Sequence, residues 1–377
     1  MKKQTWRWTP ICSYAAICKF GSYSTELNFS HFRYYKAVDI IGKIKTHTIK
    51  MAKASSSSTI DWTLISAHGP AVVFHTACIV GDKLYVHGGL VVENDNMPVN
   101  GFYCLDLRRN IWNEIQSPGS PSLSHHTSIV LHEHYMLLIG GWNGKSRSAN
   151  LHCFDTATMQ WTEMKHSGYP KEAGLSSHSS ILCENNKILV VGREGHLHSQ
   201  RKHNSAYIIS GDPVTGYFSY SLLTYEVASR SGHTCNSDGR WTYLIGGRKD
   251  NFIETVAHVK SYPQLTSSVA KKLKDFCEKL VPMSKYPSGR KHHAGVGGHG
   301  VIFIHGGETF ESAINLPSGE MYVFIAGKSL NFYKVGIGLV SLKGHICCCY
   351  NDKIIIHGGV SGKRHIVKGD TYELIIP

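Results

Sequence analysis

Short, mostly apolar runs that end in glycine recur along most of the chain. Six times such a run is followed by a glycine pair or, once, by Gly-Arg, at intervals of 52, 52, 54, 60 and 52 residues. Runs of four to eight residues bounded by glycine are typical of buried β-strands. The pattern predicts one structural unit repeated six times. Repeats 1 to 6 are numbered here by their first glycines: Gly88, Gly140, Gly192, Gly246, Gly306 and Gly358.

Two further markers keep the same register and predict four strands in each repeat. A histidine stands 13 or 14 residues before each first glycine: His75, His126, His178, His233, His293 and His345. Downstream, an Asp precedes a Trp by six residues in repeats 1 and 2. Strand, turn and strand on both sides of the glycines indicate an all-β protein in which six blades form a β-propeller.

The first strand is expected to close the ring. Repeat 6 ends with a third strand at residues 371–375, with no fourth strand after it. Residues 61–64 instead copy, at the front of the chain, the fourth-strand pattern around Trp112 and Trp161. Pairing of this N-terminal strand with repeat 6 would remove the free edge of the sheet.

Repeats 3 and 4 depart from the pattern. Arg193 replaces the second glycine of repeat 3, whereas repeat 4 lacks a Trp strand and carries an insertion at residues 264–280. Apolar residues in that insertion follow a helical spacing. The helix either docks on the side of the propeller or serves as a partner helix. Its apolar stripe consists of Val269, Leu273, Phe276 and Leu280.

The composition separates a basic leader, residues 1–58, from a propeller at residues 59–377. Residues 1–50 hold nine Lys and Arg against two acids, so they supply +7 of the net charge of +13. This concentration argues against nucleic-acid binding by the propeller. We expect the leader to lack stable structure, with a targeting role as the alternative. No run of about 20 apolar residues is present, so we expect no membrane span.

These repeats resemble the kelch repeat, in which a diglycine follows an apolar strand and a spaced aromatic residue and Trp come next. The resemblance covers about residues 60–377. It implies a six-bladed kelch propeller and a non-catalytic interaction module without a cofactor. Eleven cysteines without a CxxC pair favour reduced thiols, and hence the cytoplasm or nucleus.

The loops that follow the glycines and those that lead to the repeat histidines are expected on one face. That face collects thirteen Lys and Arg against six Asp and Glu, which predicts a basic mouth. In kelch substrate receptors, arginines near the positions of Arg230 and Arg290 enter the central pocket and hold carboxylates. The predicted partner-binding residues are Trp142, Arg193, Glu194, His196, His198, Arg201, Arg230, Arg248, Arg290 and Lys291.

Two functions follow from these observations. The first is a monomeric adaptor that binds an acidic or carboxylate-bearing peptide segment of another protein, and the resemblance suggests a cell-cycle regulator such as a cyclin. The alternative is a copper- or zinc-dependent propeller enzyme that uses the histidine-rich loops, since His196, His198 and His203 have ligand-like spacing. No Cys or carboxylate set completes that site, and nine of the 24 His belong to the repeat pattern.

Overall fold

The computed structural model describes residues 59–170, 173–194, 202–224, 227–250, 252–256, 259–311, 316–327 and 329–377. The chain divides into two compact parts, Met1–Ala54 and Ser55–Pro377, and every described residue belongs to the second. The predicted leader, residues 1–58, therefore lies outside the described residues. The same holds for His196, His198 and Arg201, and for the side chains of Arg193 and Glu194.

Each of the first two repeats folds as an antiparallel sheet of four consecutive strands. The alternation of buried and exposed residues is weak, because both faces of these sheets pack on neighbouring repeats. After β1 (Asp61–Ser66), repeat 1 forms β2 (Thr76–Val80), β3 (Lys83–His87), β4 (Phe102–Asp106) and β5 (Ile111–Glu114). Repeat 2 forms β6 (Thr127–Leu131), β7 (Tyr135–Trp142), β8 (Arg147–Asp155) and β9 (Gln160–Ser167).

Repeat 3 joins repeat 2 through their outer strands. Its last strand pairs in parallel with β9, so that the two repeats share one eight-stranded sheet. A single 3₁₀ turn, Glu184–Asn186, lies in its first hairpin. The strands of repeat 3 are β10 (Ser179–Leu182), β11 (Ile188–Glu194), β12 (Lys202–Asp212) and β13 (Tyr217–Leu222).

Within the described residues, repeat 4 has three strands: β14 (Thr234–Ser237), β15 (Thr242–Ile245) and β16 (Ile253–Val256). Helix α1 (Ser267–Cys277) follows, and the Thr266 hydroxyl caps it by accepting from the backbone N–H of Val269. Three residues of the predicted apolar stripe, Val269, Leu273 and Phe276, are buried against the core between repeats 5 and 6, whereas Leu280 lies beyond the helix and is partly buried against the same core. Of the two roles considered, α1 therefore packs on the propeller. In the part of the chain described, no helix has the length and apolarity to cross a bilayer.

Repeats 5 and 6 again have four main strands, with short strands in the loops. Repeat 5 forms β17 (Arg290–Lys291), β18 (Ala294–Gly298), β19 (Val301–His305), β20 (Glu308–Thr309), β21 (Glu320–Ala326) and β22 (Leu330–Ile337). Repeat 6 forms β23 (Leu342–Lys343), β24 (Ile346–Tyr350), β25 (Lys353–His357), β26 (Val360–Ser361), β27 (Ile366–Val367) and β28 (Thr371–Ile375).

The N-terminal strand completes repeat 6. Strand β1 pairs antiparallel with β28, with Trp62 opposite Leu374, in the strand order β1-β28-β25-β24. The predicted closure by the first strand is therefore confirmed. Because β1 and β28 come from opposite ends of the propeller sequence, opening the ring requires breaking this ladder.

A closed ring of backbone hydrogen bonds surrounds the axis. The residue before each repeat histidine donates its N–H to the equivalent carbonyl of the preceding repeat. All six residues have φ between 53° and 67°, the left-handed region. The donor-to-acceptor pairs are Phe74 to Gly344 (3.0 Å), His125 to Phe74 (2.8 Å), Ser177 to His125 (2.9 Å), Gly232 to Ser177 (2.9 Å), His292 to Gly232 (2.7 Å) and Gly344 to His292 (2.8 Å).

The first glycine of each repeat lies against the repeat histidine of the next. A Cβ at Gly306 would lie 2.8 Å from His345 Cε1, and one at Gly358 would lie 2.5 Å from His75 Cε1. Both glycines also have positive φ, so two separate constraints exclude a side chain. The nine repeat-related histidines are buried, as predicted. Three of them end strands, whereas each of the six repeat histidines lies directly before a strand rather than in it. Burial lowers the pKa of His75 to about 3, so it packs as a neutral ring.

Candidate functional site at the axial mouth

A cavity of about 580 Å³ opens on the axis at the end where the glycine loops emerge. Its volume lies within the ~300–1,000 Å³ of typical ligand pockets. We call it the mouth, and it is lined by Leu90, Glu93, Asn94, Asp95, Asn96, Ser124, His125, Trp142, Arg147, Ser176, Ser177, Ser231, Gly247, Lys291, His292 and Phe310. This set combines loops that follow the glycines with loops that precede the repeat histidines. The prediction that both loop sets share one face is therefore confirmed.

Three aromatic rings form the floor of the mouth. Phe74 stacks on His125 with ring centroids 4.1 Å apart and contacts His292 edge-on at 4.9 Å. His125, Ser177 and His292 line both the mouth and the inner cavity along the axis. Phe74 lines the inner cavity but not the mouth, so the three rings lie at the boundary between the two cavities.

The floor was missed by the sequence reasoning, although a signal was present. Its residues belong to the six positions directly before the repeat histidines, and glycine fills two of those positions, Gly232 and Gly344. Glycine at one register of a repeat indicates positive φ. The other four positions, Phe74, His125, Ser177 and His292, then carry side chains from a ring of left-handed residues around the axis.

Arg230 and Arg290 do not reach the mouth, and the prediction that they do is wrong. The Arg290 side chain is fully buried; it donates to Ser288 O (3.3 Å), Gly306 O (3.0 Å) and Glu320 Oε2 (2.8 Å). Arg230 is also buried and repeats the arrangement: it donates to Gly246 O at 2.9 Å and to Glu254 at 2.5 Å. Both guanidinium groups therefore link strands within their own repeats.

The physical reason lies in the register of the repeat. The position three residues before the repeat histidine holds Val72, Leu123, Leu175 and Leu342 in the other four repeats, and all four are buried. It is a core position, so an arginine there needs an internal carboxylate and carbonyls to satisfy it. Glu254 and Glu320 supply the carboxylates. Comparison of the six repeats at this register would have predicted burial.

A buried ion network occupies one side of the mouth. Lys343 Nζ lies 2.5 Å from Glu93 Oε1 and 2.6 Å from Glu308 Oε2, and Lys291 Nζ lies 3.0 Å from Glu308 Oε1. His292 Nδ1 is 3.3 Å from the same Glu308 oxygen. Burial raises the pKa of Glu308, but hydrogen bonds from His292, Lys343 and Lys291 outweigh it and hold that pKa well below its usual range. Much of the predicted positive charge is thus neutralised internally.

The other predicted side chains take different places. The Trp142 indole lines the mouth and donates to Asn96 O at 2.8 Å, and Lys291 lines it too. Arg248 does not line the mouth; it donates to Ser229 O (2.7 Å) and Asp250 Oδ1 (3.0 Å). Arg147 and Phe310, absent from the predicted set, line the mouth as well.

Nothing in the described geometry favours metal chemistry. Among the residues that the structure describes, no three His, Cys, Asp or Glu side chains are grouped as metal ligands. Paired histidines such as His87 and His126, whose Nδ1 and Nε2 atoms lie 2.9 Å apart, are buried packing residues. His196 and His198 lie outside the described residues, so a metal site there stays a prediction.

The family model "KLHDC2/KLHL20/DRC7 Kelch-repeats domain" matches residues 45–247, more than half of the chain. The protein belongs to the kelch-repeat family. The predicted kelch resemblance and the all-β propeller fold are therefore confirmed.

Curated relatives extend the kelch similarity over most of the chain. Human kelch domain-containing protein 9 is 28% identical over 310 residues, which cover 77% of this chain and 87% of that protein. Human kelch domain-containing protein 3 is 26% identical and covers 83% of this chain and 84% of its own length. A solved structure titled "Structure of YjhT" matches with a TM-score of 0.55 at 15% identity and covers 79% of this chain and 93% of its own. That likeness shows the fold.

Proposed function

We propose that this kelch protein is a non-catalytic interaction module that captures a carboxylate-bearing segment of another protein at the mouth. Kelch-repeat domains typically mediate protein–protein interaction, and the relatives match over the propeller. The observation that carries the proposal is the lining of the mouth: Trp142 and Phe310 accompany two cations, Arg147 and Lys291, next to the aromatic floor.

The lining suits a segment with one apolar and one charged anchor. Trp, Tyr and Arg contribute most of the binding free energy at many protein interfaces. A guanidinium or ammonium group holds a carboxylate through charge-assisted hydrogen bonds of about 1.5–3 kcal/mol. Phe310 is 36% exposed, so part of its ring is available to a partner.

The ion network favours a single carboxylate over an acidic run. Glu93 and Asp95 line the same cavity, and Lys343 is already held by Glu93 and Glu308. A run of acidic residues would meet repulsion from Glu93 and Asp95 at short range. One carboxylate near Lys291, whose charge is shared with Glu308, meets less repulsion than a run of acidic residues would. Of the two predicted kinds of partner segment, acidic or carboxylate-bearing, we therefore propose the carboxylate-bearing one.

A monomer in the cytoplasm or nucleus that binds a cell-cycle regulator, with a cyclin as one class, remains the proposed setting. It rests on the kelch resemblance and on cysteine usage; the nine described cysteines are all unpaired.

Selection of peptides from a random display library on the full chain tests the proposal. Selected peptides should carry an aromatic or aliphatic residue and a carboxylate, and their affinity should fall at least tenfold in Trp142→Ala and Lys291→Ala. Lys363→Glu is the control, because Lys363 is exposed and does not line the mouth. Peptides whose affinity is the same for wild type and both mouth variants would contradict the proposal.

The metal-dependent alternative has its own readout. Stoichiometric copper or zinc in the purified full chain, lost in the His196→Ala, His198→Ala double variant, would favour an enzyme over an adaptor. Absence of bound metal after purification from metal-supplemented cells would leave the interaction module as the supported function.

A further inference from the structure

In the described part of the chain, repeat 4 has no counterpart of the outer strand that completes the other five repeats. Within residues 227–250, 252–256 and 259–311, its sheet consists of β14, β15 and β16 alone. After β16 the chain does not turn back along it, because Ser261 bridges to Cys183 of repeat 3 and Tyr262 N donates to Leu182 O. The outer edge of β16 is therefore left without the strand that covers the equivalent edge elsewhere.

Among the residues that the structure describes, no strand pairs with the backbone groups on that edge. Gly246 N donates to Phe252 O (2.7 Å), so the backbone N–H and C=O groups of Phe252 and Glu254 point toward β15. The backbone groups of the alternating residues, Ile253 and Thr255, therefore point outward. None of the described backbone hydrogen bonds involves the outward groups of Ile253 or Thr255.

Two other repeats show what normally pairs there. In repeat 1, Phe102 holds the position of Ile253, and its carbonyl accepts from Ile115 N at 2.8 Å. In repeat 3, the Ala206 carbonyl at the same position accepts from Leu223 N at 2.8 Å. The Ile253 carbonyl thus faces the place that an outer strand fills in repeats 1 and 3.

In complete repeats, an aromatic side chain of the outer strand also packs between neighbouring repeats. Between repeats 1 and 2, Trp161 of outer strand β9 packs on Phe102 and Phe154 at centroid distances of 5.1 Å. Each complete repeat places an aromatic residue on its outer strand: Trp112, Trp161, Phe218, Phe332 and Trp62.

Between repeats 3 and 4, the described residues include no aromatic residue on an outer strand of repeat 4, and a groove of about 880 Å³ lies between the two repeats. Its apolar lining includes Ile208, Leu223 and Val259, which are only partly buried at the border of the core, and Trp241, which is 41% exposed. Three cations, Lys187, Arg240 and Lys260, line it against one acid, Glu184. The groove therefore suits an aromatic side chain with an acidic neighbour.

We propose that β16 is a docking edge for an extended segment of a partner protein, which adds as the fourth strand of repeat 4 and places an aromatic residue in the groove between repeats 3 and 4. Main-chain hydrogen bonds to Ile253 and Thr255 supply affinity, and the groove supplies specificity. The outer strands of the other repeats define the chemistry of the occupant. This surface lies on a different part of the propeller from the mouth, so the two sites are tested separately.

A peptide with the sequence of residues 110–116 is a suitable probe, because it is an outer strand of this fold and contains both Trp112 and Glu114. Calorimetric titration into the full chain should show one site. Amide hydrogen exchange at Ile253 and Thr255 should slow at least tenfold when the peptide is bound.

Substitutions on both partners separate strand addition from other binding. Thr255→Pro removes the outward N–H without removing a bond to β15, and it should weaken binding at least tenfold, whereas Thr255→Ala should not. The peptide with Trp112→Ala should also bind at least tenfold more weakly. Leu223→Glu in the groove should do the same, and Val214→Glu, at a 70% exposed site outside it, should not.

Three results would overturn the proposal. These are binding that Thr255→Pro leaves intact, binding without slower exchange at Ile253 and Thr255, and slow exchange at those amides in the free full chain, which would mean that another segment already covers the edge. Thermal unfolding of Thr255→Pro beside Thr255→Ala shows whether both variants are folded.

Discussion

Replacement of Gly358 by Ala tests the close packing of the first glycine of repeat 6 on His75 of repeat 1, where the ring closes. Gly358 and Gly362 both have φ of +71°, so alanine meets the same left-handed backbone penalty of about 1–2 kcal/mol at either site. They differ in their surroundings. A Cβ at Gly358 would lie 2.5 Å from His75 Cε1 and 2.9 Å from Val72 O, whereas nothing lies within 4 Å at Gly362.

The extra cost at Gly358 follows from that contact. Carbon atoms pack at about 3.5–4.0 Å, so His75 or the backbone would have to move by about 1 Å. Overpacking of this kind costs about 1–3 kcal/mol. Since His75 is buried and Val72 O is a backbone atom, the structure offers no flexible side-chain end that could yield. Gly358→Ala should therefore be less stable than Gly362→Ala by about 1–3 kcal/mol.

Thermal unfolding followed by circular dichroism measures the difference. Each kcal/mol corresponds to about 2–4 °C in Tm for a large domain. Guanidinium unfolding of the same variants gives the free energies directly. Equal stability of Gly358→Ala and Gly362→Ala would show that the first glycine is conserved in the repeat pattern for φ alone and would refute the packing of each repeat histidine on the neighbouring glycine.

Three further predictions concern the buried ionic groups and the helix. Arg290→Met should destabilise the fold by about 2–4 kcal/mol because Glu320 loses its buried partner. In guanidinium unfolding, the double variant Arg290→Met, Glu320→Gln should recover part of this loss. Full stability of the single variant would contradict the ion pair between Arg290 and Glu320. Burial raises the pKa of Glu320, but Lys334 and Arg290 outweigh it and lower the pKa to about 2, so the carboxylate stabilises the fold above its usual pKa and this contribution is lost as pH falls toward 2. Unfolding free energies at pH 7, 4.5 and 3 should fall less steeply in Glu320→Gln than in wild type, and parallel profiles would contradict this. Phe276→Ala should cost about 3–5 kcal/mol by leaving a cavity under α1, and a cost below 1 kcal/mol in the same assay would mean that the helix is not docked.

The fold was readable from the sequence because its signals repeat. The glycines and histidines recur at one spacing because they lie where neighbouring repeats pack against each other. Six copies of this spacing make the register of the repeats recognisable. The first strand was placed correctly for the same reason, since Trp62 repeats the pattern of Trp112 and Trp161. A single copy of any of these residues would have carried little information.

The site was predicted less well because charge counts ignore pairing. Arg230, Arg290 and Lys343 were counted as mouth cations, yet each meets a carboxylate that lies 24 to 35 residues away in the chain. Such partners become visible only when the strands are assembled. Trp142 and Lys291 line the mouth as expected, because their places follow directly from the glycine and histidine registers.

Photo-cross-linking of a display-selected peptide tests the central claim, capture of a partner segment at the mouth, most directly. A benzophenone amino acid is placed at Phe310, which lines the mouth, or at Val214, which lies in the hairpin between β12 and β13 and is 70% exposed. We predict a cross-link from position 310 that excess unlabelled peptide abolishes, and none from position 214. Peptide bound with full affinity but cross-linked at position 214 rather than 310 would contradict the account.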